Sequence, residues 1–413
     1  MSVSLTHSHH RLYVPVHGIE SNYLLLEMKG NSLQQLERSP INLSIVLDRS
    51  GSMTGEPLHF CKEAIKFVIN QLTEKDLLSV VVFDDQVKTV FGPEKVIHKD
   101  SLKGKIDQIE TGGMTNLSGG LIQGCQHVLK KNSKNFVNRV IILSDGNANS
   151  GITEFDHFMK VVDDYQTGGV IISSIGVSDH FDEELMEGIA EHGKGNFYFI
   201  DQVEEIPTIF SKELDGLLST VAQNVTFTII PKNGVQIKTI YGYQYKHAEG
   251  EFTLSLGDLF SDEVKSILVE YSSPASSEGL RDVFDIKWAF VDVTEGAKGC
   301  NYEVNIPLHF TTDLNLLSEQ QNLYVEKQVQ ITKAAASIEE AMKLFDIGDM
   351  ETGKNLLHNQ AVTMASIAEK ISDSELMSES VLLMEKINNF EYSKKTRKEL
   401  HHQKYRQMKR KKE

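Results

Sequence analysis

The stretch INLSIVLDRSGSM, residues 41–53, carries two signals back to back. Leu43-Ser-Ile-Val-Leu47 is an apolar run of strand length, interrupted only by Ser44, the pattern of a strand covered on both faces. It stops at Asp48, Ser50 and Ser52, one carboxylate and two hydroxyls at alternate positions around Gly51. Outward from this point, strand-like and helix-like segments take turns. Leu58, Cys61, Ile65, Val68 and Leu72 recur at 3-4-3-4 spacing, one face of a helix with Pro57 in its first turn. The strand LLSVVVF (77–83) follows, then a helix near Leu117–Leu129 and the strand VIIL (140–143). A helix near 153–167, GVIISSIGV (169–177), a helix near 182–192, NFYFI (196–200) and a helix to about Ser219 complete the series. This alternation predicts a doubly wound, mostly parallel α/β domain over residues 41–220.

On either side the period changes. Residues 222–310 read as successive strands without helices, with turn signals at Asn233-Gly234 and across 272–277, and predict an antiparallel β-sandwich. Two further strands within 11–37 are too few to stand alone and complete that sandwich, so the α/β domain is inserted in it. Residues 313–393 carry helical periodicity, with Ile331, Ala335, Ile338, Met342 and Phe345 on one face. The first ten residues, with His7, His9 and His10, read as a disordered polar terminus. Residues 394–413 form a basic tail: ten lysines and arginines are opposed only by Glu399 and Glu413, in a chain whose formal net charge is −16. Such a run is ordinarily solvated. An anionic partner such as nucleic acid would have to meet this tail rather than the acidic body, and its binding would weaken steeply with salt.

Composition excludes several classes. The 413 residues hold 29 glycines and 8 prolines, too few for a collagenous or low-complexity chain. No apolar run approaches a membrane span, and the first residues lack the pattern of a secretory signal, so the expectation is a cytoplasmic protein. Cys61, Cys125 and Cys300 match neither a disulfide framework nor a zinc site; the first two fall on apolar helix faces, and Trp288 falls in a sandwich strand as core.

In an open parallel sheet, ligands bind outside the carboxyl ends of the strands. Asp48, Ser50 and Ser52 lie at that edge. Two comparable loops carry Thr115, in TGGMTNLSGG, and Asp145, directly after VIILS. Two carboxylates and three hydroxyls, without sulfur or imidazole, make a hard-oxygen set that suits Mg²⁺, with Mn²⁺ or Ca²⁺ as alternatives. Arg49 and Asn116 border these loops and are expected at an exposed rim.

This arrangement resembles the metal-ion-dependent adhesion site of von Willebrand factor type A domains, with Asp48, Ser50, Ser52, Thr115 and Asp145 matching all five positions. The chain is also similar to soluble bacterial proteins of this type and to inter-alpha-trypsin inhibitor heavy chains. The resemblance is strong over 41–220 and weak over 222–310. It implies a Rossmann-like domain that binds a divalent cation, on which a partner protein docks a Glu or Asp side chain, with protein binding rather than catalysis as the activity. Two other readings compete. One is a scaffold acting through the helical region and the basic tail. The other is a Mg²⁺-dependent phosphatase, disfavoured because Ser50 stands where such enzymes place a second aspartate and because the sequence has no phosphate loop.

Overall fold

The computed structural model describes residues 2–31, 38–131, 136–146, 148–177, 181–294, 297–319, 321–388 and 394–409. Residues 32–37 of the first expected strand unit and basic residues 410–412 lie outside them.

The chain opens with strands β1 (Val3–His9), β2 (Tyr13–Pro15) and β3 (Ile19–Gly30). Residues 3–9, expected in a disordered terminus, therefore form a strand. β1 runs antiparallel to β3 from Val3↔Gly30 to His9↔Leu24. Val3 is buried, and His9 is sealed in by the Tyr271 hydroxyl at 2.8 Å from Nδ1 and the Pro307 carbonyl at 3.1 Å from Nε2. Burial lowers the His9 pKa to about 4, so this histidine is a neutral structural residue. Its neighbour His10 pairs with Glu326 at 2.6 Å.

The α/β domain follows: β4 (Ile41–Asp48), α1 (Glu56–Gln71), β5 (Leu77–Phe83), β6 (Val87–Lys95), α2 (Lys99–Asp107), α3 (Leu117–Lys130), β7 (Val137–Ser144), α4 (Phe155–Thr167), β8 (Ile171–Val177), α5 (Glu183–His192), β9 (Lys194–Ile200) and α6 (Ile206–Leu218). Its six strands lie in the order β6-β5-β4-β7-β8-β9, all parallel except β6. Every residue of β4 is buried, Asn42 and Ser44 among them, which explains why apolar residues dominate on both faces of the strand. One apolar cluster, with α1 and α6, covers one face of the sheet; another, with α3, α4 and α5, covers the other. Neither β6 nor α2 was expected. β6 is an edge strand with Phe91 as its single buried residue, and it contains Gly92 and Pro93, which weaken the strand signal.

The remaining strands are β10 (Thr220–Pro231), β11 (Gln236–Tyr241), β12 (Tyr245–Ala248), β13 (Glu251–Phe260), β14 (Val264–Ser273), β15 (Gly279–Asp292) and β16 (Lys298–Thr311). They join the first three in two facing sheets, ordered β1-β3-β14-β11 and β12-β13-β10-β15-β16-β2. The α/β domain is thus inserted in a β-sandwich, as the sequence suggested. Trp288 lies in the sandwich core, stacked on Tyr302 with ring centroids 5.4 Å apart.

A short helix α7 (Leu314–Leu317) leads to α8 (Leu323–Asp346), α9 (Met350–Ile371) and α10 (Ser374–Asn388). Val325 and Val329 of α8 pack on Leu25 and Leu268 of the sandwich, so the bundle rests on the outer face of the smaller sheet. The described part of the basic tail is not a solvated end either. Lys394–Lys409 form a helix, α11, wedged between α8 and the α/β domain.

One buried ion pair ties the inserted domain to the sandwich. Arg139 of β7 meets Asp258 of β13 at 3.4 Å, and both side chains are almost fully enclosed. Removing one partner strands the other charge. Asp258→Ala is expected to lower stability by about 3–5 kcal/mol in equilibrium urea unfolding. Combining it with Arg139→Met is expected to recover most of that loss.

Candidate metal and partner-docking site

Three loops meet at the carboxyl edge of the parallel sheet, and backbone hydrogen bonds stitch them together. Arg49 N–H donates to the Phe83 carbonyl at 2.9 Å, Gly112 N–H to Arg49 at 2.7 Å, and Gly51 N–H to Gly113 at 3.1 Å. Asn116 N–H donates to Asp84 at 2.8 Å, and Asn149 N–H to Thr115 at 3.2 Å. The glycine pair at 112–113 is needed for this contact. A Cβ on Gly112 would stand 1.6 Å from Asp84 Oδ2. On α3, Gly120 and Gly124 allow the helix to lie close on the sheet, since a Cβ there would stand 2.5 Å from Phe83 and 2.3 Å from Val46. That approach sets the N-terminus of α3, and Thr115 before it, at the sheet edge.

All five residues singled out in the sequence converge here. Asp48 ends β4, fully buried, and its Oδ1 accepts the Ser50 N–H at 2.8 Å. Ser50 Oγ and Ser52 Oγ are 3.2 Å apart, and Ser52 donates to Asp145 Oδ1 at 2.8 Å. Thr115 Oγ1 and Asp48 Oδ2 both lie within 4 Å of the point where a side chain on Gly146 would begin. Two participants escaped the sequence reading. Ser144 donates to Asp48 Oδ2, and Asn149 Oδ1 accepts the Thr115 N–H at 2.9 Å. Ser144 could have been found as the polar break in an apolar strand; nothing local marks Asn149.

The two expected rim residues have other tasks. Arg49 is held by Asp84 at 2.9 Å and is largely covered. Asn116 caps α3, accepting the Gly119 N–H at 2.9 Å.

The electrostatics of this hollow suit a cation. Burial pushes the Asp48 carboxyl up to about 6; hydrogen bonds from Ser144 and Ser50 pull it down, and Asp145 pushes it up. Among the described residues no lysine or arginine pairs with Asp48, and none contains a cluster of three His, Cys, Asp or Glu able to hold a metal. The donors are instead two carboxylates and three hydroxyls, an all-oxygen set that fits a hard divalent ion. Cys61 beneath the site is fully buried and its thiol pKa is raised well above the ordinary value, by burial first and then by Asp145 and Asp48.

The fold is that of a doubly wound α/β domain inserted in a β-sandwich. Residues 42–212 match the von Willebrand factor type A domain family. The chain is a von Willebrand factor type A domain protein, related to bacterial proteins of this type and to inter-alpha-trypsin inhibitor heavy chains. The uncharacterized protein YfbK of Escherichia coli is 28% identical over 62% of this chain and 46% of its own length. Inter-alpha-trypsin inhibitor heavy chain H3 of Homo sapiens is 23% identical over 74% of this chain and 35% of its own. The chain thus spans less than half the length of these curated relatives. In architecture it is similar to a von Willebrand factor type A structure from Catenulispora acidiphila, with TM-score 0.74, 14% identity, and 91% of this chain and 89% of that one covered. It is also similar to the ArnB paralog VWA2 of Sulfolobus acidocaldarius, with TM-score 0.65, 16% identity and 99% of both chains covered.

The raised Asp48 pKa has a consequence for stability. The folded protein holds this proton up to about pH 6, whereas an unfolded aspartate releases it near 4. In the metal-free protein, stability therefore falls as pH rises through that window, by about 3 kcal/mol at most, and stays lost above it. Asp48→Asn keeps the acceptor for Ser50 and can donate to Ser144. In EDTA at pH 7 it is expected to exceed wild-type stability by about 2 kcal/mol, and the gain should vanish near pH 4 in urea titrations.

Proposed function

We propose that this protein is a metal-dependent docking module. A divalent cation, Mg²⁺ by donor chemistry with Mn²⁺ or Ca²⁺ fitting the same oxygens, would be held by Asp48, Ser50, Ser52, Thr115 and Asp145. When bound, it offers an electrophilic seat for a Glu or Asp side chain of a partner protein. The observation that carries this reading is the convergence of five oxygen donors on one hollow, around a buried carboxylate that lacks a cationic partner among the described residues. Two negative charges leave a divalent ion without surplus anionic ligands, so it retains affinity for an outside carboxylate.

Binding rather than turnover is the activity this chemistry supports. Asp48 is engaged by Ser144 and by the Ser50 N–H, and Ser50 occupies the position where a second acid would be needed for phosphoryl transfer. A scaffold would act through the helical region and the basic tail, and Lys398, His401 and Lys404 of that tail face acidic residues of the same chain. No helix among the described residues is long and apolar enough to cross a membrane.

The test combines metal and partner. Mg²⁺ at a hundredfold excess over its Kd is expected to stabilise the wild type by about 2.7 kcal/mol, read as a rise in thermal midpoint. Asp48→Ala and Asp145→Ala should show no such rise. Immobilised wild type should retain its protein partners in Mg²⁺ and release them in EDTA. Partners held equally in Mg²⁺, in EDTA and by Asp145→Ala would refute docking at this site, and Mg²⁺-dependent hydrolysis of an aryl phosphate would refute the non-enzymatic reading.

A further inference from the structure

The basic helix α11 occupies a slot with acidic walls. On the α/β side, Lys398 Nζ meets Glu183 Oε2 at 3.1 Å and donates to the Phe181 carbonyl, and Arg397 pairs with the same glutamate. One turn further on, His401 and Lys404 share Glu187, each at 2.8 Å. On the bundle side, Arg397 reaches Asp346 at 3.4 Å and Gln407 donates to Glu379 at 2.8 Å. Lys398 also lies over the Phe181 ring, 3.8 Å from its centroid.

Tyr405 makes a different contact. Its hydroxyl donates to the Gly195 carbonyl at 3.1 Å and accepts the Phe197 N–H at 3.2 Å. β9 ends the sheet and, among the described residues, pairs only with β8. One phenol therefore satisfies a donor and an acceptor that a further strand would otherwise take.

The buried face of α11 is unusually polar. Lys398, His401, Gln403 and Gln407 are covered alongside Leu400 and Tyr405. Both side-chain polar atoms of Gln403 are buried without a hydrogen-bond partner among the described residues. Buried ion pairs specify a geometry while adding little net stability, because both ions regain hydration on separation, and unpartnered amides oppose docking.

We propose that α11 is a charge-held clasp that docks reversibly in the slot between α5 and the helical bundle, coupling the bundle to the α/β domain when closed and baring the β9 edge when open. Docked, the face bearing Lys398, His401 and Lys404 is turned to the chain's own acids. An outside anion can engage that face only in the open form. The proposal does not depend on the metal site.

Hydrogen exchange of the full chain, followed by mass spectrometry, tests it. Between about 0.05 M and about 1 M NaCl, amides of α11 and of Gly195–Phe197 should exchange roughly tenfold faster, with α8 and α9 unchanged. Lys404→Glu should produce the fast exchange already at low salt, and Lys404→Glu with Glu187→Lys should restore protection. Tyr405→Phe leaves every charge in place and should quicken exchange at Phe197 while keeping the salt response of α11. Wild-type α11 exchange that ignores salt would overturn the proposal. So would acceleration of α11 only in step with α8 and α9, which would make it an ordinary part of one cooperative unit.

Discussion

A central strand with no exposed residue constrains everything around it. β4 lies between β5 and β7 with all eight side chains enclosed, so both faces of the sheet need cover from helices. Parallel strands are joined by crossovers, which carry the chain back and collect the turns after β4 and β7 at one edge. Asp48 and Asp145 face the same hollow for that reason. A carboxylate at the end of so buried a strand cannot be hydrated, which is why Asp48 is held by Ser144 and the Ser50 N–H and titrates well above an ordinary aspartate.

The insertion of this domain in a sandwich poses a second problem, because the junction must be fixed by few chain crossings. It is solved with polar contacts. Arg38, just before β4, grips Asp76 through both carboxylate oxygens, and Asp76 Oδ1 also accepts the Ile41 N–H at 2.9 Å. Ser39 donates to the Val293 carbonyl at 3.1 Å, and Gln223 to the Phe136 carbonyl at 3.1 Å. Bonds of fixed direction orient one unit on the other in a way that apolar contact alone would not. They lie at the amino ends of the parallel strands, leaving the opposite edge, with the oxygen-donor hollow, free of the sandwich.

Charge works differently at the two ends of the inserted domain. At the loop edge, negative groups converge on one another and suit a cation from solution. On the flank formed by α5 and β9, negative groups are matched by the chain's own C-terminal helix. Burial alone would raise the pKa of Glu187, yet His401 and Lys404 hold it below the usual glutamate range. Glu183 is held low in the same way, by its own backbone N–H and by Lys398 and Arg397.

The sequence by itself determined the elements whose period is set by burial. The apolar run before Asp48, the 3-4 spacing of α1 and the strand succession after Asn224 are direct images of which side chains leave water. The positions of Asp48, Ser50, Ser52, Thr115 and Asp145 were legible for a related reason, because each follows a legible strand or precedes a legible helix. Only the tertiary structure decided the rest. β1 and α11 read as solvated ends because their polar side chains find partners far away in sequence: His9 on Tyr271, Lys398 on Glu183, Tyr405 on β9. Arg49 and Asn116 looked like rim residues until Asp84 and the first turn of α3 claimed them. Burial of apolar groups leaves a periodic trace in the chain. A hydrogen bond or ion pair between distant residues leaves none, since its geometry exists only once the chain has folded.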